Sequence, residues 1–129
     1  VIIHDREAHG DCLDVVKEFP TVKGIFHSFS GSPEMATELI KMGWYLSFSG
    51  PVTYKNAKQP KEACKVVPSD RILIETDSPY LSPEPLRGTV NNSENVKLVA
   101  KKIAEIKELD IAEVAEMTRK NTKRIFDIK

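Results

Sequence analysis

ILIETDSPYL, residues 72–81, is the stretch on which the reading of this chain turns. A short run of β-branched and leucine residues, closed by carboxylates and a proline turn, reads as a strand buried on both faces that ends at a polar rim. Glu75 and Asp77 stand two residues apart, so both carboxylates point to one side if the strand runs through them. Pro68, Ser69 and Asp70 make the turn leading in, and the helical pattern near 60–67 precedes that turn.

The same alternation of short apolar runs and amphipathic stripes extends outward in both directions, and it predicts βα units on a parallel sheet. The first strand is read at 1–3, with a helix over 7–19 whose face is Ala8, Cys12, Val15, Val16 and Phe19. A second strand at 24–27 precedes a helix opened by Ser32 and Pro33 and closed by Gly43. Trp44 to Phe48 is the third strand, and 72–75 is the fourth. An irregular segment follows over 78–92, of a length that is usually functional or mobile, and it is read as functional. The tail is read as two helices, 94–109 and 111–126, the second opened by a D-x-x-E pattern at Asp110 and Glu113.

The expected class is therefore α/β with four parallel strands, their helices and two closing C-terminal helices. A complete (βα)8 barrel takes about 250 residues, and this chain has 129. Half of such a barrel fits. No linker, repeat or low-complexity tract divides it, so residues 1–129 are read as one unit. Its two sheet edges are templates for pairing with further protein.

Composition narrows the function classes. Lys plus Arg number 19 against 19 Asp plus Glu, so the formal net charge is zero. Nonspecific adhesion to a polyanion is not expected, and any nucleic-acid contact must be local. No run of 18 apolar residues exists and the first 20 residues carry several charges, which argues against a membrane span or a signal peptide. Cys12 and Cys64 form no CxxC pair and read as buried thiols, which makes a cytoplasmic location the default. The chain starts on Val1 in a β-branched run, and is read as beginning within a longer sequence.

Chemistry gathers at the predicted strand ends. His4 and His27 each follow an apolar run, and in a parallel α/β barrel that end faces the active site, where neighbouring imidazoles can converge on a metal. The plainer alternative is two loop histidines satisfied by hydrogen bonds. His9 reads as a solvent-facing or hinge position and is not counted as a ligand. Asp77, nearer the strand mouth, can ligate a cation and accept a proton from water; alternatively it caps the turn before Pro79. Glu75 either orients a ligand from behind, pairs with an Arg, or bonds local backbone. Arg6, with Ser28, Ser30, Gly31 and Ser32 ahead of a helix start, would hold a phosphodiester, although serine-rich helix entrances are often plain caps.

Taken together, VIIHDREAH at 1–9, GIFHSFSGS at 24–32, YLSFSGPVTYK at 45–55 and ILIETDSPYL at 72–81 resemble the ordered motifs of the TatD-like metal-dependent deoxyribonucleases, a TIM-barrel branch of the amidohydrolase superfamily. The resemblance covers nearly the whole chain and places it as the C-terminal half, strands five to eight. It implies a hydrolase of DNA phosphodiesters, working from the 3′ end of single strands with two divalent cations, whether Mg, Mn or Zn. His4 and His27 match the fifth- and sixth-strand metal ligands, and Asp77 the eighth-strand carboxylate that binds metal and helps activate the attacking water. Arg6, Ser30 and Gly31 match positions expected to contact substrate.

Two departures follow from the same comparison. The family's first-strand HxH pair and fourth-strand Glu have no counterpart here, so the chain alone is expected to bind metal poorly and to be inactive. Its expected partners are DNA and either the missing N-terminal half or a second chain that closes the barrel. In RGTVNNSEN at 87–95, Val90, Asn92 and Ser93 stand where the family commonly has Arg, Glu and Pro, while Asn91 matches. The competing readings are a hydrolase of another ester, lactone or amide, and a non-catalytic half-barrel used for assembly.

Overall fold

The computed structural model describes residues 1–129. Four strands, β1 (Ile2–His4), β2 (Ile25–His27), β3 (Tyr45–Phe48) and β4 (Ile72–Ile74), pair in parallel in the order of the chain. Between and after them lie α1 (His9–Glu18), α2 (Pro33–Lys41), α3 (Lys58–Val66), α4 (Val96–Lys107) and α5 (Ile111–Ile125). Short 3₁₀ turns cover Gly50–Thr53, Ser69–Arg71 and Ser93–Asn95. This is the predicted architecture: a curved run of βα units with two closing helices.

Alternation along each strand sorts its side chains. Phe26, Leu46, Phe48 and Ile72 turn outward and join Val16, Leu39, Cys64, Val99, Ile103 and Val114 from the helices in the main core. Ile25, Tyr45 and Leu73 turn to the opposite face and make a smaller cluster covered by Ile125. Register pairs His4 with His27, each two residues beyond Ile2 and Ile25. Both imidazoles therefore belong to the inner face, at the carboxyl end of the sheet. Glu75, two residues beyond Leu73, follows the same direction.

Local signals work as read at several helix ends. Ser32 Oγ accepts from the Met35 N–H at 3.1 Å, and Pro33 opens α2. Gly43 takes φ +86 after α2, the left-handed conformation that glycine adopts without a Cβ clash. At α5 the Glu113 carboxylate accepts from the Asp110 N–H at 2.9 Å. Other boundaries move. β1 includes His4 and omits Val1, Trp44 precedes β3, and α4 begins at Val96 after its 3₁₀ turn. β4 stops at Ile74, one residue short of Glu75, because the turn toward Asp77 begins there.

The first helix departs most from its reading. It starts at His9, two residues later than expected, and only Val16 of its predicted face is buried. Val15 is 54% and Phe19 55% exposed. Phe19 lies past the last helical turn, at φ −121 and ψ 64, so it leaves the stripe; Val15 is one step, about 100°, from Val16. Cys12 is half-buried and Cys64 fully buried, so one of the two thiols fits the prediction. Ile2 is 60% exposed, which leaves the β1 flank as the least covered part of the sheet. No helix is long and apolar enough to cross a membrane.

Cys64 and Lys107 make the α3–α4 contact sensitive to alkali. Burial pushes the Cys64 thiol up to about 12. The folded state keeps that proton where an unfolded chain, with an ordinary value of 9.0, loses it. The stability it contributes is complete below the unfolded value and is lost as pH rises through the folded one. Lys107, whose ammonium donates to the Lys65 and Val67 carbonyls, has its pKa lowered, chiefly by burial, and acts in the opposite direction. Denaturant titrations are expected to show a midpoint that falls on going from about pH 9 toward 11. Cys64→Ala should start lower at neutral pH and fall less steeply. Parallel curves for the two proteins would contradict this account.

Candidate metal centre

Strand ends deliver four titratable side chains to one spot. His4 Nδ1 lies 2.8 Å from His27 Nε2, and the two rings stack with centroids 5.0 Å apart. On the far side of its ring, His27 Nδ1 lies 2.7 Å from Glu75 Oε1. An ionised carboxylate only accepts, so Nδ1 of His27 carries the hydrogen and Nε2 presents the lone pair. His4 Nδ1 then supplies the hydrogen shared between the rings. The order runs His4 to His27 to Glu75, each donating to the next.

Glu75 does its work from behind. Its second oxygen, Oε2, accepts from the Ser28 N–H at 3.1 Å. Ser28 sits at φ +45, and its hydroxyl is 2.6 Å from that of Ser49 at the end of β3. One carboxylate thus fixes the His27 ring and the backbone just after it, tying β2 to β4 across β3. Glu75 bonds an imidazole and a backbone N–H 47 residues back in the chain, so its backbone partner is distant rather than the local one expected.

Asp77 arrives by a turn rather than a strand. Its φ is +57, and its carbonyl accepts from the Tyr80 N–H at 3.0 Å. The expected same-side alternation with Glu75 does not apply beyond Ile74, yet the carboxylates still meet. A nitrogen of His27 and one oxygen each from Glu75 and Asp77 lie within 4.8 Å of one another. Imidazole nitrogen with carboxylate oxygen is a donor set for divalent transition metals and Mg²⁺.

His4, His27 and Asp77 open onto a cleft of about 590 Å³, which Arg6, Ser30 and Tyr80 also line and Glu75 does not. Gly31 falls elsewhere. It is packed under Phe29 and Met35, both 2.8 Å from where its Cβ would stand, so its smallness serves packing. Gly50 has a comparable packing role, with the Leu81 carbonyl 1.8 Å from where its Cβ would stand. His9, set aside in the sequence, also lines the cleft, its Nδ1 2.6 Å from the carboxylate of the nearly buried Asp5. Asp5 stands ahead of α1, so helical spacing does not signal this pair in the sequence.

Comparison with known proteins sets this geometry in context. A family model described as "TatD related DNase" matches residues 1–127. An "uncharacterized metal-dependent hydrolase YabD" of Bacillus subtilis (strain 168) is 52% identical over 99% of this chain and 51% of its own length. Its counterpart YcfH of Escherichia coli (strain K12) is 42% identical over 99% of this chain and 49% of its own. The chain thus spans about half the length of the curated relatives it matches. Among solved structures, the TatD homolog YJJV of E. coli K12 superposes with a TM-score of 0.90 at 26% identity, covering 100% of this chain and 50% of that one.

The role of Glu75 can be read directly. Glu75→Gln keeps the shape but puts an N–H donor against either the Ser28 N–H or the His27 Nδ1–H, and is expected to cost about 1–3 kcal/mol in chemical denaturation. The ¹⁵N shifts of the His27 ring should show its hydrogen redistributed between the two nitrogens. Unchanged stability with unchanged ring shifts would mean that Glu75 does not orient His27.

Proposed function

From the premise that this chain belongs to the TatD related DNase family, we propose that it supplies one side of a divalent-metal centre that hydrolyses DNA phosphodiester bonds, acting on single strands from the 3′ end. The observation that carries the reading is the meeting of His4, His27, Glu75 and Asp77 at one rim of a parallel sheet. His4, His27 and Asp77 would hold the metal, the cation taking the place of the hydrogen shared between the two rings, with Glu75 holding the His27 ring by its other nitrogen. A bound divalent cation there supplies charge stabilisation and makes a bound water more acidic.

The chain's own residues account for the rest of the chemistry. Asp77 offers a carboxylate oxygen to accept a proton from the attacking water. The guanidinium of Arg6 and the hydroxyl of Ser30, both on the cleft lining, would hold the nonbridging oxygens of a phosphodiester. Tyr80, 70% exposed at the same rim, offers an aromatic face on which a terminal base can stack. The zero net charge agrees with recognition by this local arrangement rather than by a broad basic surface.

In this reading the remaining ligands come from a partner, the other half of a barrel, which closes against the thinly covered β1 flank where Ile2, Val15 and Phe19 are exposed. The chain alone is expected to be inactive and to dimerise or aggregate in gel filtration. Co-expressed with the complementary half of the B. subtilis relative, it is expected to degrade single-stranded DNA with Mn²⁺ or Mg²⁺ and to stop on chelation. Asp77→Ala in that assembly should lower turnover by about a hundredfold or more while leaving the melting temperature nearly unchanged. Cleavage of a lactone with DNA left intact, or near-normal turnover in the variant, would overturn the proposal.

A further inference from the structure

Asp77 has no side-chain hydrogen bond to fix its carboxylate, so its aim depends on the backbone that carries it. That backbone sits at φ +57, a region an unconstrained L residue other than glycine seldom occupies. Something must hold the turn. One buried amide does so from both sides. Asn91, 3% exposed, donates through Nδ2 to the Thr76 carbonyl at 2.8 Å and to the Tyr80 carbonyl at 2.7 Å. These carbonyls flank Asp77. The Asn91 backbone N–H adds a third bond, to the Pro79 carbonyl at 3.0 Å.

The amide is itself anchored. Its Oδ1 accepts from Asn95 Nδ2 at 2.9 Å and from the Asn92 N–H at 3.0 Å. Asn95 is buried and stands immediately ahead of α4, which packs in the main core. The position of the Asp77 turn is thus referred to the helix layer through two asparagines. Only a planar amide carries two N–H donors beside an acceptor, so neither a carboxylate nor a hydroxyl of similar size can replace it.

We infer that Asn91 is the positioning residue for Asp77: its two donations hold the turn in which the carboxylate faces His27 and Glu75. This rests on the reading of His4, His27 and Asp77 as cation ligands. The same strand contains its own control. At the opposite end of β4, Asn121, also buried, donates through Nδ2 to the Ser69 and Ile72 carbonyls, both at 2.8 Å. Asn91 and Asn121 make the same chemical staple on either end of one strand, and only the first adjoins the site.

The test uses the assembly co-expressed with the complementary half of the B. subtilis relative, and compares the unaltered chain in it with Asn91→Asp and Asn121→Asp, each of which keeps the side-chain shape and removes two N–H donations. Free Mn²⁺ is followed by electron paramagnetic resonance during titration, at a temperature where all three proteins remain folded. Chymotrypsin cleavage after Tyr80 is measured on the metal-free proteins. Asn91→Asp should weaken Mn²⁺ binding about tenfold or more and speed cleavage after Tyr80 by a similar factor. Asn121→Asp should lower the denaturation midpoint and change neither readout. Should Asn91→Asp fail to fold, Asn91→Ser retains a single donor and gives the same comparison.

Unaltered Mn²⁺ affinity in the Asn91 variant, or an equal loss in the Asn121 variant, overturns the assignment. An unaltered assembly that takes up no Mn²⁺ sinks the metal reading instead, and the part given to Asn91 in it. Cleavage after Tyr80 at the unaltered rate in the Asn91 variant shows that no such staple exists.

Discussion

Parallel pairing is the constraint from which the site follows. Because β1 to β4 all run the same way and pair in chain order, every carboxyl end emerges on one rim. Two-residue alternation then decides which side chains look inward, and the His4–His27 register sets two imidazoles side by side. Had either strand slipped by one residue, one ring would have turned into the helix layer beside Phe26. The apolar core is in this sense the positioning device for the polar rim. Helix residues such as Leu39, Ile103 and Val114 bury one face of the sheet and leave the other for chemistry.

On that frame a second level of control is polar. Glu75 joins the ends of β2 and β4, Ser28 and Ser49 bridge the end of β3, and Asn91 ties the β4 turn to the start of α4. None of these groups is needed to form a strand. Each fixes a backbone or ring that the strands alone leave free, and each is half-buried or buried, where an unmatched polar group is costly. The left-handed residues Ser28 and Asp77 both occur where such a carboxylate or amide grips the chain beside them. Local strain and its compensation lie together at the rim.

Much of this was legible in the sequence because it depends on period and on turn chemistry. ILI before Glu75, the stripe from Met35 to Leu39 and the Ser32-Pro33 start are local patterns, and they correspond to β4, α2 and its cap. His4, His27 and Asp77 were readable as site candidates because each closes an apolar run. What stayed hidden is long-range or concerns which faces are covered. Nothing local shows that Asn91 reaches back to Thr76, 15 residues earlier, or that Glu75 bonds His27, 48 residues away. The exposure of Val15 and Phe19 depends on what packs on that flank, which periodicity does not record. Gly31 looked like part of a phosphate loop because small residues serve both close packing and ligand approach.

The central claim is that two imidazoles and one carboxylate from different βα units share a divalent cation. Paramagnetic broadening tests it most directly. Substoichiometric Mn²⁺ added to the assembly with the complementary half, in which only this chain carries ¹⁵N and ¹³C, is expected to erase the ring signals of His4 and His27 and the carboxylate-adjacent signals of Asp77 first, while those of Asn121 at the other end of β4 persist. Uniform broadening across the chain, or loss centred anywhere but that rim, would contradict the account.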